Sequence, residues 1–371
     1  MRRIMAVFVV LALFLAVCAP AADPVVIGVM APVTGAWAAE GQDMVNVVNI
    51  LAENVNAAGG VKGRKIQIEE GDDGGDPRTA ALAAQRLVDS GVIAVIGTYG
   101  SSITEASQGI YDDGEVLQIA TGSTAIRLSE KGLKLFFRIC PRDDEQGLVL
   151  AQTVIGMGCK KIAVLHDNSS YAKGLADETT ALLRKSGLEP VFFDAITPGD
   201  RDFTTTLVAM KTRNPDIIVF TGYYPEAGML LRQKKDMKWD VPMIGGDATN
   251  NSALIEIAGD SAAGYYFVSP PGPLDLIGAG AKDFMAKYQA RHNAVPSSVW
   301  SIMAGDAFLA LVEAIGNLDY PSAHGIAAYF HGKLKNFQGF TGSISFDAKG
   351  DRVGDVYRLY QVDAKGDFIL K

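Results

Sequence analysis

Two stretches of this chain run through the same order of elements, and that repetition constrains the fold more than any other feature. Residues 25–29 (VVIGV) are an unbroken apolar run, as a strand buried on both faces should read. A loop over 30–39 leads to an amphipathic helix with Met44, Val47, Val48, Leu51 and Val55 on one face, stopped at Gly59-Gly60. Residues 65–69 (KIQIE) form the next strand. Asp76-Pro77 then caps a helix, with proline at the first helical position, where a missing N–H costs nothing. Residues 92–97 (VIAVIG) give a third buried strand, Ser101 and Ser102 open a further helix, and 116–120 is the strand after it. The second stretch, residues 161–222, repeats the order. It reads KIAVLHD, a loop with a glycine, a helix over 175–185, Gly187, VFFDAI, an Asp202-led cap, a helix to Thr212 and DIIVFTG.

Strands that alternate with helices predict parallel sheets covered on both sides, hence an α/β fold built as two similar lobes. Right-handed crossovers place the C-terminal ends of the strands along one edge of each sheet, so two facing lobes enclose a cleft there. Helices over 283–291, 303–316 and 323–332 and strands over 342–346 and 356–362 complete the chain. They are expected to return to lobe one and then cross to lobe two. Lobe one is expected over 23–142 plus 270–352, and lobe two over 143–269 plus 353–371, joined by a three-segment hinge.

The N-terminus speaks for export. Arg2 and Arg3 precede an uncharged apolar run over 4–17, and Ala19-Pro20-Ala21 offers a small-residue cleavage site, so residues 1–22 read as a signal peptide. The run is shorter than the ~20 residues of a spanning helix. An uncleaved anchor is the competing reading. A lipid anchor on Cys18 is another, because Leu15-Ala16-Val17-Cys18 has the look of a lipobox, although Val17 is bulky for it. Roughly 350 residues remain, enough for two domains. No later stretch reads as long and apolar enough to cross a bilayer. A net charge of −8 argues against nucleic acid or an anionic membrane surface as the main partner. Cys140 and Cys159 flank an expected helix over about 144–155, which holds them too far apart for a disulfide, so both should stay reduced.

Several chemistries lack their residues. There is no phosphate-binding glycine loop and no GxGxxG after a strand. His166, His292, His324 and His331 are scattered and no CxxC occurs, so no metal is expected. Residues 71–76 (GDDGGD) lack the ligand alternation and closing Glu of a calcium loop and read as a strand-to-helix turn. Ser101 stands at a strand-to-helix turn without the GxSxG spacing of a nucleophile, and no His or Lys is placed to activate it. It reads either as an N-cap or as part of an anion site with the free N–H groups of the helix start. Gly122, Ser123 and Thr124 offer a second set of donors at the end of the fourth strand.

The blocks over 98–128, 166–174 and 222–233 (GYYPEAGMLLRQ), Ile257-Ala258-Gly259-Asp260, and FFDAITPGDRDF followed by TGYYPE together make the chain recognisable. Across its whole mature length it resembles the periplasmic branched-chain amino-acid-binding proteins, receptors of ABC importers with the type I periplasmic-binding-protein fold. The resemblance implies a Venus-flytrap closure around an α-amino acid in the periplasm, delivery to permease subunits in the inner membrane, a monomer, no catalysis and no cofactor. It implies that Ser101 and Thr124 hold the ligand carboxylate, that the Gly122 carbonyl and Asp247 take its ammonium, and that Tyr171 and Tyr223 line the cleft. An amide or urea receptor, or a ligand sensor, on the same fold is the alternative. The chain departs from the family pattern at Glu40 and Ser298, where aromatics line the side-chain subsite. Glu40 either lines that subsite or is a solvated first-turn residue, and Trp37 or Tyr99 could fill the gap. The family's small lobe-one disulfide falls on Gly75 and Gly100, so it is absent here.

Overall fold

The apolar runs are strands in the computed structural model, which describes residues 23–276, 278, 280–354 and 357–371. The expected signal segment and Cys18 lie outside the described residues. The first half comprises β1 (Val25–Ala31), α1 (Ala38–Ala57), β2 (Ile66–Asp72), α2 (Pro77–Asp89), β3 (Ala94–Ile96), α3 (Ser101–Asp113), β4 (Leu117–Ala120), α4 (Arg127–Glu130) and β5 (Phe136–Arg138). Then come α5 (Asp143–Gly156), β6 (Ile162–His166), α6 (Ser170–Lys185), β7 (Phe192–Ala195), α7 (Thr204–Lys211), β8 (Ile217–Thr221), α8 (Tyr224–Asp236), β9 (Met243–Gly245), α9 (Ala253–Ala258) and β10 (Tyr266–Ser269). The remainder is α10 (Ala281–His292), α11 (Val299–Gly316), α12 (Ala323–Gly332), β11 (Phe337–Gly339), β12 (Gly342–Ile344), β13 (Arg358–Val362) and β14 (Phe368–Leu370).

One sheet runs β2-β1-β3-β4-β5, all parallel. The other contains β7-β6-β8-β9-β10 in the same relative order and also parallel, so the duplication read from the sequence extends to strand order. The parallel sheets expected from the repeat are present in both halves, and the second carries two antiparallel strands at its edge. β13 joins β10 antiparallel and β14 joins β13 antiparallel, because a tail entering at the sheet edge can pair by a hairpin without a crossover helix. In both halves the order reverses beside the first strand of the repeat, and loops at the C-terminal strand ends open a crevice there.

Local chemistry sets the helix starts. Asp76 caps α2 by accepting from the Arg78 and Thr79 N–H groups, with Pro77 behind it. The GDDGGD stretch is a turn in which Asp72 and Asp73 accept from the Gly74 and Gly75 N–H groups. Asp202 accepts from the Thr204 N–H beside the start of α7, although Phe203 holds the cap position. Helix α3 is capped by Gly100, so Ser101 is its first residue and the N-cap reading of Ser101 is set aside.

Helix α11 corrects another expectation, since it is long and apolar enough to cross a membrane by length and composition. It is instead a core helix, packed along α1 and buried over most of its length. The chain passes between the sheets after β5, after β10 and before β13. The first and third passages are bound together by Asp351. Its carboxylate accepts from Arg138 Nε at 2.5 Å, Arg142 at 2.7 Å and Ser129 Oγ at 2.8 Å. Burial alone would raise the Asp351 carboxyl, but the Arg138 charge and these hydrogen bonds hold it below its usual range. Breaking a buried pair of this kind costs about 3–5 kcal/mol, because the remaining charge is left unpaired.

Candidate ligand-binding cleft

The cleft is built where the strands end. From the first sheet it receives residues 33–40 after β1, 98–101 after β3 and 121–124 after β4. From the second it receives 167–171 after β6, 222–224 after β8 and 246–251 after β9. The lobes are closed on one another. Tyr224 Oη donates to the Ala36 carbonyl at 3.0 Å, Ser170 Oγ donates to Glu105 at 2.8 Å, and Asn251 Nδ2 donates to Glu40 at 3.2 Å.

Asp247 sits at the centre of a buried polar network. Its carboxylate accepts from Tyr171 Oη at 2.9 Å and, on the other oxygen, from Gln146 Nε2 and Tyr357 Oη, each at 2.8 Å. Gln146 is the junction: it also donates to Asp143 at 3.0 Å, and its carbonyl oxygen accepts from the Asp247 N–H at 2.9 Å. Burial pushes both carboxyls up, and for Asp143 the nearby Asp247 charge pushes further. Two carboxyls that resist ionising together favour one shared negative charge, which suits one cation. Neither Asp143, Gln146 nor Tyr357 was singled out from the sequence. The only trace they leave there is a cluster of acids in the first turn of α5.

On the first sheet's side the expected donors divide. Thr124 Oγ1 is buried beside the Asp143 carboxyl, without a partner in good hydrogen-bond geometry. Ser101 Oγ accepts from the Ala125 N–H at 3.2 Å, which ties the start of α3 to the 122–125 loop. Ser123 turns away from the cleft: its hydroxyl meets Thr104 Oγ1 at 2.7 Å and donates to the Thr98 and Tyr99 carbonyls. The Ser123 hydroxyl thus supports the 98–99 turn. Gly122 lies against Tyr99, and a Cβ there would come within 2.7 Å of the Tyr99 ring.

Four aromatic rings span the lobes. Trp37 stacks on Tyr223 with centroids 4.1 Å apart, and Tyr99 meets both edge-on at 5.6 Å. Tyr171 lies 5.4 Å from Tyr223 on the inner side. The two glycines in place of the family disulfide explain how Trp37 fits. A Cβ on Gly75 or on Gly100 would come within 2.9 Å of the Trp37 ring. The indole occupies the space that side chains there would need. Outside it lies a vestibule of about 500 Å³ lined by Gly74, Ser102, Asp167, Ser170, Gly199 and Glu226 among others.

Glu40 and Ser298, the two departures from the family pattern, meet each other. Ser298 caps α11 by accepting from the Trp300 N–H, and its hydroxyl donates to Glu40 Oε2 at 2.5 Å. Glu40 is fully buried, so the solvated-helix reading is set aside, and burial raises its carboxyl to about 8. Cys140 and Cys159 are both free, as expected from the helix between them.

Comparison with known proteins agrees with this geometry. The sequence profile of the periplasmic binding protein family matches residues 24–367. The Leu/Ile/Val/Thr-binding protein of Salmonella typhimurium is 32% identical over 346 residues, which is 93% of each chain. Among solved structures, the leucine-binding protein LivK of Thermotoga maritima is similar with a TM-score of 0.87 at 27% identity, over 94% of this chain and 97% of that one. LivJ of Streptococcus pneumoniae, a branched-chain amino-acid transporter substrate-binding protein in complex with isoleucine, gives 0.84 at 29% identity, over 94% and 100%. With its duplicated α/β lobes closed over a polar cleft, the chain belongs to the periplasmic binding protein family.

Proposed function

We propose that this protein is the extracytoplasmic receptor of an ABC importer and that it closes around an α-amino acid, without catalysis. The observation that carries the reading is the buried Asp143–Gln146–Asp247 network, a ready counter-charge for one ammonium. It stands beside Thr124, whose hydroxyl is free of good partners, and near the start of α3, whose N–H groups and dipole favour a carboxylate. An α-amino acid presents both charges two bonds apart and so bridges the lobes. Within this reading Ser101, Thr124 and the Gly122 carbonyl bind on the side of lobe one, and Asp247, Tyr171 and Tyr223 on the side of lobe two. The lobe boundaries follow the passages near 142, 270 and 353, and a monomer serves permease subunits in the inner membrane from the periplasm. Relatives that bind leucine, isoleucine, valine or threonine support the amino-acid class. A thermal-shift screen of the purified mature chain against the twenty amino acids, amides and urea tests it. A ligand at 100 times its dissociation constant should stabilise by about 2.7 kcal/mol. A shift with amides or urea and none with any amino acid would refute the reading.

A further inference from the structure

The Glu40 carboxylate stands at the boundary between the lobes with one oxygen unused. Oε2 takes the Ser298 hydroxyl from its own side and the Asn251 amide from across the cleft. The Ser301 N–H in the first turn of α11 also approaches the carboxylate and favours its charge, while Oε1 is fully buried and has no partner in good hydrogen-bond geometry. Among the described residues that act on the Glu40 carboxyl none is a Lys or Arg. The nearby charge is Asp43, an acid, which pushes the Glu40 carboxyl further up on top of burial. An acid desolvated in this way without a cation is costly. The carboxylate also lies close to the wall of the cleft. Tyr99, a wall of the cleft, feels its charge, and Asn251 stands four residues beyond Asp247 on the same segment.

We propose that Glu40, Asn251 and Ser298 form a polar subsite that selects an amino acid whose side chain ends in an N–H donor, either a cation or a carboxamide. The proposal rests on the amino-acid-receptor reading above and narrows it. A donor at the end of the side chain fills Oε1, while the Asn251 side-chain oxygen, which accepts from the Ala253 N–H at 2.9 Å, holds the amide in place against Glu40. An aliphatic side chain would close over Oε1 and leave it unpaired, which is the cost that separates the two ligand classes.

Calorimetry on the purified mature chain with leucine, valine, glutamine, lysine and arginine tests this, alongside E40Q and E40L. In the wild type at least one of glutamine, lysine and arginine should bind tenfold or more tightly than leucine. E40L should reverse that order, gaining leucine and losing the donor-bearing ligand by tenfold or more. E40Q, an isostere that keeps the packing if E40L does not fold, separates the sources. A cationic ligand should lose tenfold or more in E40Q, and a carboxamide threefold or less. Leucine or valine binding tightest to the wild type would overturn the proposal and leave the receptor reading standing. Equal weakening of all five ligands in both variants would also overturn it, by showing Glu40 to be only a latch to Asn251. If none of the five binds the wild type, while the thermal-shift screen responds to amides or urea, the receptor reading fails and the proposal with it.

Discussion

Replacing Asp247 by Asn separates binding from stability, and the structure gives the size of both effects. The carboxylate is buried, and burial favours its neutral form, so a neutral isostere is tolerated by the empty protein. The Asn side-chain oxygen still accepts, and its amide group can donate to a hydroxyl that turns, from Tyr171 or Tyr357. D247N should therefore melt within a degree or two of wild type. D247A instead removes the acceptor shared by Tyr171, Gln146 and Tyr357; Tyr171 keeps the Gln146 side-chain oxygen at 3.1 Å and Gln146 keeps Asp143 at 3.0 Å, so the Tyr357 hydroxyl loses most. At about 1–3 kcal/mol for each unsatisfied group, its melting temperature should fall by several degrees. Binding behaves differently. Loss of a charged partner from a buried ammonium costs roughly 2–5 kcal/mol, a factor of about 30 to several thousand. Asp143, linked through Gln146, becomes free to ionise once Asp247 is neutral, so the loss should lie at the lower end, about 30- to 300-fold. D143N/D247N should go beyond it. Calorimetry at pH 7 with the tightest-binding amino acid measures the affinities, and differential scanning calorimetry the melting. D247N binding within threefold of wild type would refute the ammonium role, and a D247N melting loss as large as that of D247A would refute the account of the network.

Other expectations follow from the packing and the charges. G100A puts a methyl group within 2.9 Å of the Trp37 ring and should displace it from Tyr223. With an aromatic pair worth about 0.5–1.5 kcal/mol, ligand affinity should fall about two- to tenfold by calorimetry, and an unchanged value would show that Trp37 is not part of the closed state. The denatured mature chain should titrate two free thiols, and the native one at most the half-exposed Cys159; Cys140 is buried and its thiol pushed up. A loss of two hydrogens mapped to a Cys140–Cys159 peptide would contradict this. Ligand-free stability should fall as pH rises from about 4 to about 8. Burial raises Asp167 to about 6, Asp73 to about 7 and Glu40 to about 8, so the folded state keeps protons that the unfolded chain has released. Below that window the trend reverses, because Asp76, held down by the Thr79 N–H, and Asp72, held down by Thr34 and the Gly74 N–H despite its burial, lose their partners as they protonate. A melting temperature that climbs steadily from pH 5 to pH 8 would refute the assignment of those buried acids.

The sequence by itself determined the elements and their order. Apolar runs such as 25–29 and 92–97, the Asp76-Pro77 cap and the glycine stops act over a few residues, and each half of the duplication carries its own set. The order of elements in turn set which strand ends face the cleft, while Tyr171, Tyr223 and Asp247 were expected there only through the family resemblance of the blocks that contain them. Only the tertiary structure decided what those residues touch. Gln146 and Tyr357 reach Asp247 across 101 and 110 residues, and Ser298 reaches Glu40 across 258. No periodicity or spacing encodes contacts of that separation, because they exist only once both sheets have formed and the lobes have closed. The same holds for the direction of a hydroxyl. Ser123 and Thr124 are neighbours of similar chemistry, yet Ser123 bonds into the 98–104 turn while Thr124 lies beside Asp143. Trp37 reads from the sequence as one aromatic in a loop. Its place over Tyr223 depends on the absence of side chains at Gly75 and Gly100, two positions that come together with it only in the folded lobe.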